Sequence, residues 1–123
     1  MKNRLLKQSF SHAFNGIVQA FKTERNVKYH CISGIASIYL ATVLDFQLIE
    51  WAILIITITI VFTAELLNTA VEYAIDMVCG NEYSEIAKYA KDIAAGATLI
   101  AAIGAIGVFS ILYIPKLLLL IPV

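Results

Sequence analysis

Three carboxylates and one amide, Glu65, Asn68, Glu72 and Asp76, lie on the direct continuation of a long apolar run that begins near Trp51. At 3.6 residues per turn they fall within an arc of roughly 80°, so they form one polar stripe along one helix. An ionised carboxylate at membrane depth costs on the order of several kcal/mol unless a cation, a metal or a proton compensates it. Packing alone is a poor account of such a stripe. Two carboxylates a few ångströms apart repel, and the usual remedy is a divalent cation bound through oxygen; magnesium is the one that also bridges nucleotide phosphates. A lysine holds phosphate as a point charge, and a further acid orients or deprotonates a hydroxyl. Glu24, Lys91 and Asp92 complete such a set if the fold brings them to the stripe. These are the parts of a phosphoryl-transfer site. A cation or proton pathway and a purely structural polar network stand beside it as alternative readings of the same residues.

The rest of the composition says what must position them. Of 123 residues, 60% are hydrophobic and 15% charged, an excess that points to a bilayer as solvent for a chain of single-domain length. Net charge is zero, but Lys2, Arg4, Lys7, Lys22, Arg25 and Lys28 hold six of the nine basic positions before Tyr29. That basic entry segment is too dispersed for a nucleic-acid tail, and no nucleic-acid partner is expected. Cys31 and Cys79 lack a CxxC or Cys/His spacing and read as buried apolar thiols. No cleavable signal is expected, because the first 28 residues hold no uninterrupted apolar core. There is no GxxxxGK[ST] loop, kinase Gly-rich loop, HRD, DFG, serine elbow or HExxH. His12 and His30 read as isolated interfacial or hydrogen-bonded residues.

Four helical segments follow from the patterning. Over residues 1–25, Phe10, Phe14, Ile17, Val18 and Phe21 share one apolar face, with Lys2, Arg4, Lys7 and Lys22 available to headgroups, as in a helix lying on a membrane surface. After the polar corner Glu24 to Lys28, spans are expected over about 29–46, 50–79 and 86–114. The second is over-long: from Trp51 to Cys79 a helix runs about 43 Å against a hydrocarbon core of about 30 Å. Its last turns therefore leave the lipid, with Glu65 near the boundary and Glu72 and Asp76 progressively nearer water. Asp45 to Glu50 connects the first two spans. Gly80-Asn81 stops the second, Glu82 to Asp92 makes a second polar corner, and Pro115 ends the third, with Lys116 as its anchor. Gly96, Gly104, Gly107 and the alanines of that last span allow close helix approach. The basic residues crowd the N-terminal arm and the second connection, so both are expected on the cytoplasmic side, together with the stripe, Glu24 and Lys91-Asp92.

The strings Glu-Leu-Leu-Asn-Thr-Ala-Val-Glu (65–72), followed by Asp76, and Ala-Lys-Asp-Ile-Ala-Ala-Gly-Ala (90–97) resemble the signature pair of the small bacterial integral-membrane lipid kinases, the prokaryotic diacylglycerol kinases and undecaprenol kinases. The likeness covers nearly the whole chain. It implies an all-α integral membrane protein of one domain, with an N-terminal amphipathic surface helix and three transmembrane helices, assembled as a homotrimer in the bacterial plasma membrane. It implies transfer of the γ-phosphoryl group of ATP, with Mg2+, to a lipid alcohol. Carried over residue by residue, Glu65 is the catalytic base or hydroxyl-orienting acid, and Glu24 and Glu72 hold the metal and its nucleotide. Lys91 and Asp92 contact the nucleotide, Glu82 and Tyr83 line its pocket, and Asn68 and Asp76 support the substrate. His30 stands where many diacylglycerol kinases of this group carry an acid. Glu24-Arg25-Asn26 and Lys-Asp-Ile-Ala-Ala-Gly-Ala resemble the undecaprenol-kinase branch more closely, so undecaprenol is the expected acceptor and diacylglycerol the alternative. A small cation or proton conductor and a structural helical subunit are the readings from other classes.

Overall fold

The computed structural model describes residues 2–122, with side chains from Leu5 onward, and is all-helical over that range. The helices are α1 (Lys2–Thr23), α2 (Arg25–Val43), α3 (Leu48–Cys79) and α4 (Glu85–Leu119). The apolar positions of α1 lie on one side, and Phe10, Phe14, Ile17 and Phe21 remain exposed within the chain. Small residues on another side, Ala13, Gly16 and Ala20, share a groove with Leu66, Thr69, Ala70 and Tyr73 of α3. The side chains of Lys2 and Arg4, expected at headgroups, lie outside the described residues; Lys7 and Lys22 are exposed.

The polar corner expected over Glu24 to Lys28 contracts to Glu24 alone. Its extended backbone breaks the helix for one residue, and α2 starts at Arg25. The Glu24 N–H still donates to the Ala20 carbonyl at 2.8 Å, and its own carbonyl accepts from the Lys28 N–H at 3.4 Å. The backbone of Glu24 thus closes the last turn of α1 and opens the first turn of α2. Two helices among the described residues, α3 and α4, are long and apolar enough to cross a membrane. The expected first span, within α2, is not one of them, because Lys28, Tyr29, His30, Ser33, Ser37 and Thr42 dilute its apolar character.

The first connection is shorter than expected. Asp45 takes a positive φ of 57°, which a short polar side chain tolerates, and α3 has begun by Leu48. Glu50 thus sits in the first turn of α3, where the helix dipole favours an acid. At the other end Gly80 turns the chain out at φ 55°, its N–H bound to the Asp76 carbonyl at 2.9 Å. Ser84 caps α4 by accepting from the Ala87 N–H at 3.3 Å, so Lys88, Lys91 and Asp92 are helical rather than part of a loop.

Pro115 does not end α4, which continues to Leu119. Proline removes one backbone donor, but among apolar surroundings the following backbone groups find no better partner than the helix itself. The last turns are also held from outside. Lys116 Nζ lies 3.1 Å from Glu50 Oε2 and 5.4 Å above the Phe46 ring.

The packed core is small and sits at this same end. Ala41, Phe46, Leu54, Leu112 and Tyr113 are buried together. The Phe46 ring is 4.9 Å from that of Tyr113, and the Tyr113 hydroxyl donates to the Ser37 carbonyl at 2.6 Å. Most other large apolar side chains of α3 and α4 are exposed, including Ile55, Ile56, Ile100 and Ile103. For helices of this length, that outward apolar surface is what a lipid environment or neighbouring subunits would cover. Cys31 and Cys79 are free and half-buried, less enclosed than expected.

Candidate functional site

The stripe on α3 keeps its helical register but divides into three environments. Glu65 is the buried member, 4% exposed. Glu72 is half-buried and Asp76 is exposed. The helix rises about 10 Å between Glu65 and Glu72, so exposure increases toward the C-terminal end of α3.

Glu65 meets α2. His30 Nε2 lies 3.6 Å from Glu65 Oε2, and the His30 ring stands edge-on to Phe62 with centroids 6.4 Å apart. The expectation that His30 is isolated is therefore wrong. The residues are thirty-five positions apart in sequence, and only the packing of α2 on α3 brings them together. Gly34, one turn on, is buried against α3, where a Cβ would make ordinary contacts with Ile58 and Phe62, at 3.7 and 3.9 Å. His30 also lines an apolar cavity of about 180 Å³ shared with Gly34, Ile58, Phe62, Ala105 and Phe109. His12 is exposed on α1.

In the middle of the stripe Asn68 Nδ2 donates to Glu72 Oε1 at 3.4 Å, the i,i+4 geometry of one helix face. Asn68 Oδ1 is buried and lacks a partner. A buried amide oxygen without a donor is costly, so it is an acceptor waiting for one. Asn68 lines a groove of about 690 Å³ between α3 and α4, otherwise walled by apolar or small residues such as Ile60, Leu67, Ile93 and Ala97.

At the exposed end Lys91 Nζ donates to Asp76 Oδ1 at 2.6 Å, joining α4 to α3. Asp92, the next residue, points elsewhere and pairs with Lys88 at 2.6 Å. Asp76, Glu82, Tyr83, Lys88, Lys91 and Asp92 nonetheless border one concavity of about 280 Å³. Two lysines and the exposed Tyr83 ring there offer point charges and a stacking surface.

Glu24 stands at the α1–α2 break, half-buried. It joins neither Glu65 nor Asp76 in an ion-pair network, but it is one residue from Thr23, whose Oγ1 lies 2.8 Å from the Tyr73 hydroxyl. Tyr73 is the neighbour of Glu72. This hydroxyl pair, which patterning did not reveal, ties the end carrying Glu24 to the part of α3 carrying Glu72.

Among the described residues, no group of three or more His, Cys, Asp or Glu side chains could hold a metal ion. The donors thus do not suit a resident metal enclosed by protein.

Comparison with known proteins finds relatives along most of the chain. A family model described as prokaryotic diacylglycerol kinase matches residues 11–113. The chain is 46% identical over 110 residues to a diacylglycerol kinase of Synechocystis sp., covering 89% of this chain and 63% of that protein. It is 36% identical over 115 residues to the undecaprenol kinase of Bacillus subtilis, covering 94% and 92%. It is 30% identical over 109 residues to the diacylglycerol kinase of Escherichia coli, covering 89% and 88%. The chain therefore spans less than two thirds of the Synechocystis relative and nearly the whole of the Bacillus one.

Proposed function

The chain belongs to the prokaryotic diacylglycerol kinase family, and from that membership we propose that it is a membrane lipid kinase, transferring the γ-phosphoryl group of ATP to a lipid alcohol. The acceptor proposed first is undecaprenol, giving undecaprenyl phosphate, because the Bacillus undecaprenol kinase is matched over 92% of its length. The 46% identity to the Synechocystis diacylglycerol kinase supports diacylglycerol as the second acceptor.

The observation that carries the reading is the buried carboxylate of Glu65 at the apolar end of a series that opens toward Asp76. A lipid hydroxyl arrives from the apolar side, and a triphosphate from the side of Lys88 and Lys91. Glu65 takes the hydroxyl proton or orients it. The alcohol oxygen then bonds to the γ-phosphorus as the bond to the β–γ bridging oxygen breaks and ADP leaves. Asn68, with its unpaired Oδ1, orients the acceptor hydroxyl. Glu72 and Glu24 would hold the magnesium that accompanies the nucleotide, and that ion would supply neutralisation of phosphate charge. Lys91 and Asp92 contact the nucleotide beside Glu82 and Tyr83, and Asp76 supports this end by holding Lys91.

The apolar faces of α3 and α4 lie in the bacterial plasma membrane, α2 supplies the third span within a homotrimer, and α1 lies on the cytoplasmic surface. Assay with undecaprenol and diacylglycerol side by side in one micelle preparation, with ATP and magnesium, tests the reading. Phosphorylation of undecaprenol in preference supports it. Preference for diacylglycerol reverses the acceptor, and transfer to neither removes the reading.

A further inference from the structure

We infer that His30 is a positioning residue for Glu65, holding one carboxylate oxygen so that the other meets the acceptor hydroxyl. The inference rests on the lipid-kinase reading of Glu65. The carboxylate is 4% exposed, and His30 Nε2 is 3.6 Å from its Oε2. It needs a partner, because a buried acid left without one carries an uncompensated desolvation cost. Among the described residues no other charged side chain meets the Glu65 carboxylate. The α4 residues from Ile93 to Ile114 are uncharged, and the α1 residues packed beside this part of α3 are Ala13, Gly16, Ile17, Gln19 and Ala20. Lys88 and Lys91 pair with Asp92 and Asp76 instead.

The 3.6 Å separation is a close polar contact, and a small rotation of either side chain brings Nε2–H within donor distance of Oε2. The edge-on Phe62 ring flanks the imidazole. The contact engages Oε2 and leaves Oε1 to take the hydroxyl proton in the transfer step described above. His30 itself touches neither reactant.

The adjoining cavity of about 180 Å³ supplies a test that a packing role would not pass. His30→Ala joins the vacated ring volume to that cavity, making a site into which free imidazole fits. The full-length protein, wild type and His30→Ala, is assayed in the same micelles with and without millimolar imidazole. Expected is a fall in kcat of about 10²-fold with KM for ATP and lipid within about twofold, and recovery of at least tenfold with imidazole but not with cyclopentane-methanol of similar size. His30→Gln, which keeps a donor, should retain more activity than His30→Phe, which keeps the ring volume. Equal loss in Gln and Phe variants, or no imidazole recovery in a folded Ala variant, overturns the inference while leaving the kinase reading intact. An inactive wild type overturns both.

Discussion

Thr23 Oγ1 and the Tyr73 hydroxyl, fifty residues apart in sequence, lie 2.8 Å from each other and join the end of α1 to the middle of the acid series on α3. Each is the chain neighbour of a proposed magnesium carboxylate, Thr23 of Glu24 and Tyr73 of Glu72. That hydroxyl pair at the exposed rim adds to the packing that sets the relative placement of those two acids.

Removing that pair should loosen metal and nucleotide together. A single neutral hydrogen bond contributes about 1 kcal/mol, equivalent to about fivefold in an equilibrium constant. Tyr73→Phe and Thr23→Val are each expected to raise the magnesium concentration for half-maximal activity by about that factor, and the double variant by little more than either. Additive losses in the double variant would show that the two hydroxyls act separately.

Glu65→Gln keeps the shape and the polar edge of the side chain while removing its basicity. A general base contributes about 10² to 10⁴ in rate, so kcat should fall within that range. The variant should unfold at a temperature no lower than wild type, because a neutral amide is easier to bury than a carboxylate. Turnover near the wild-type rate would reject Glu65 as the base.

The Lys91 to Asp76 bond should contribute little to stability, because both side chains are largely exposed within the chain. Asp76→Asn is therefore expected to leave the unfolding temperature close to that of wild type. Thermal unfolding of both proteins in one detergent measures this. A large drop would show that the pair is enclosed by surroundings beyond the chain itself.

Lys116 and Glu50 close the opposite end, about 22 Å along α3 from Glu65. Their side chains are 24% and 20% exposed, so the pair is intermediate between surface and interior, and losing one partner should cost about 1 to 3 kcal/mol. Lys116→Met should lower the unfolding temperature with kcat within about twofold of wild type. A large loss of turnover at unchanged stability would mean that this end communicates with the acids.

Much of the site was legible in the chain because it lies on single helices. Glu65, Asn68, Glu72 and Asp76 share a face through helical spacing alone, and Asn68 does reach Glu72 four residues on. Lys91 and Asp92 were legible as charges at the entrance to an apolar helix, though not that adjacent helical residues diverge toward Asp76 and Lys88. Helix stops were legible where backbone chemistry is local, as at Gly80. Pro115 misled for the same reason: its local penalty is real, but the surroundings outweigh it.

Sequence by itself determined the helical register of the acids and the apolar runs that carry them, since both depend only on residue order and 3.6-residue periodicity. The tertiary structure decided which acid is buried and which partner each receives. His30 meets Glu65, and Tyr73 meets Thr23, only when α1 and α2 settle on α3 at one rotation and one height. Those two degrees of freedom are set by closely packed residues such as Ala20 and by the buried cluster around Phe46 and Tyr113. Helix-to-helix register is a property of how side-chain surfaces interlock, and no periodicity within one helix encodes it.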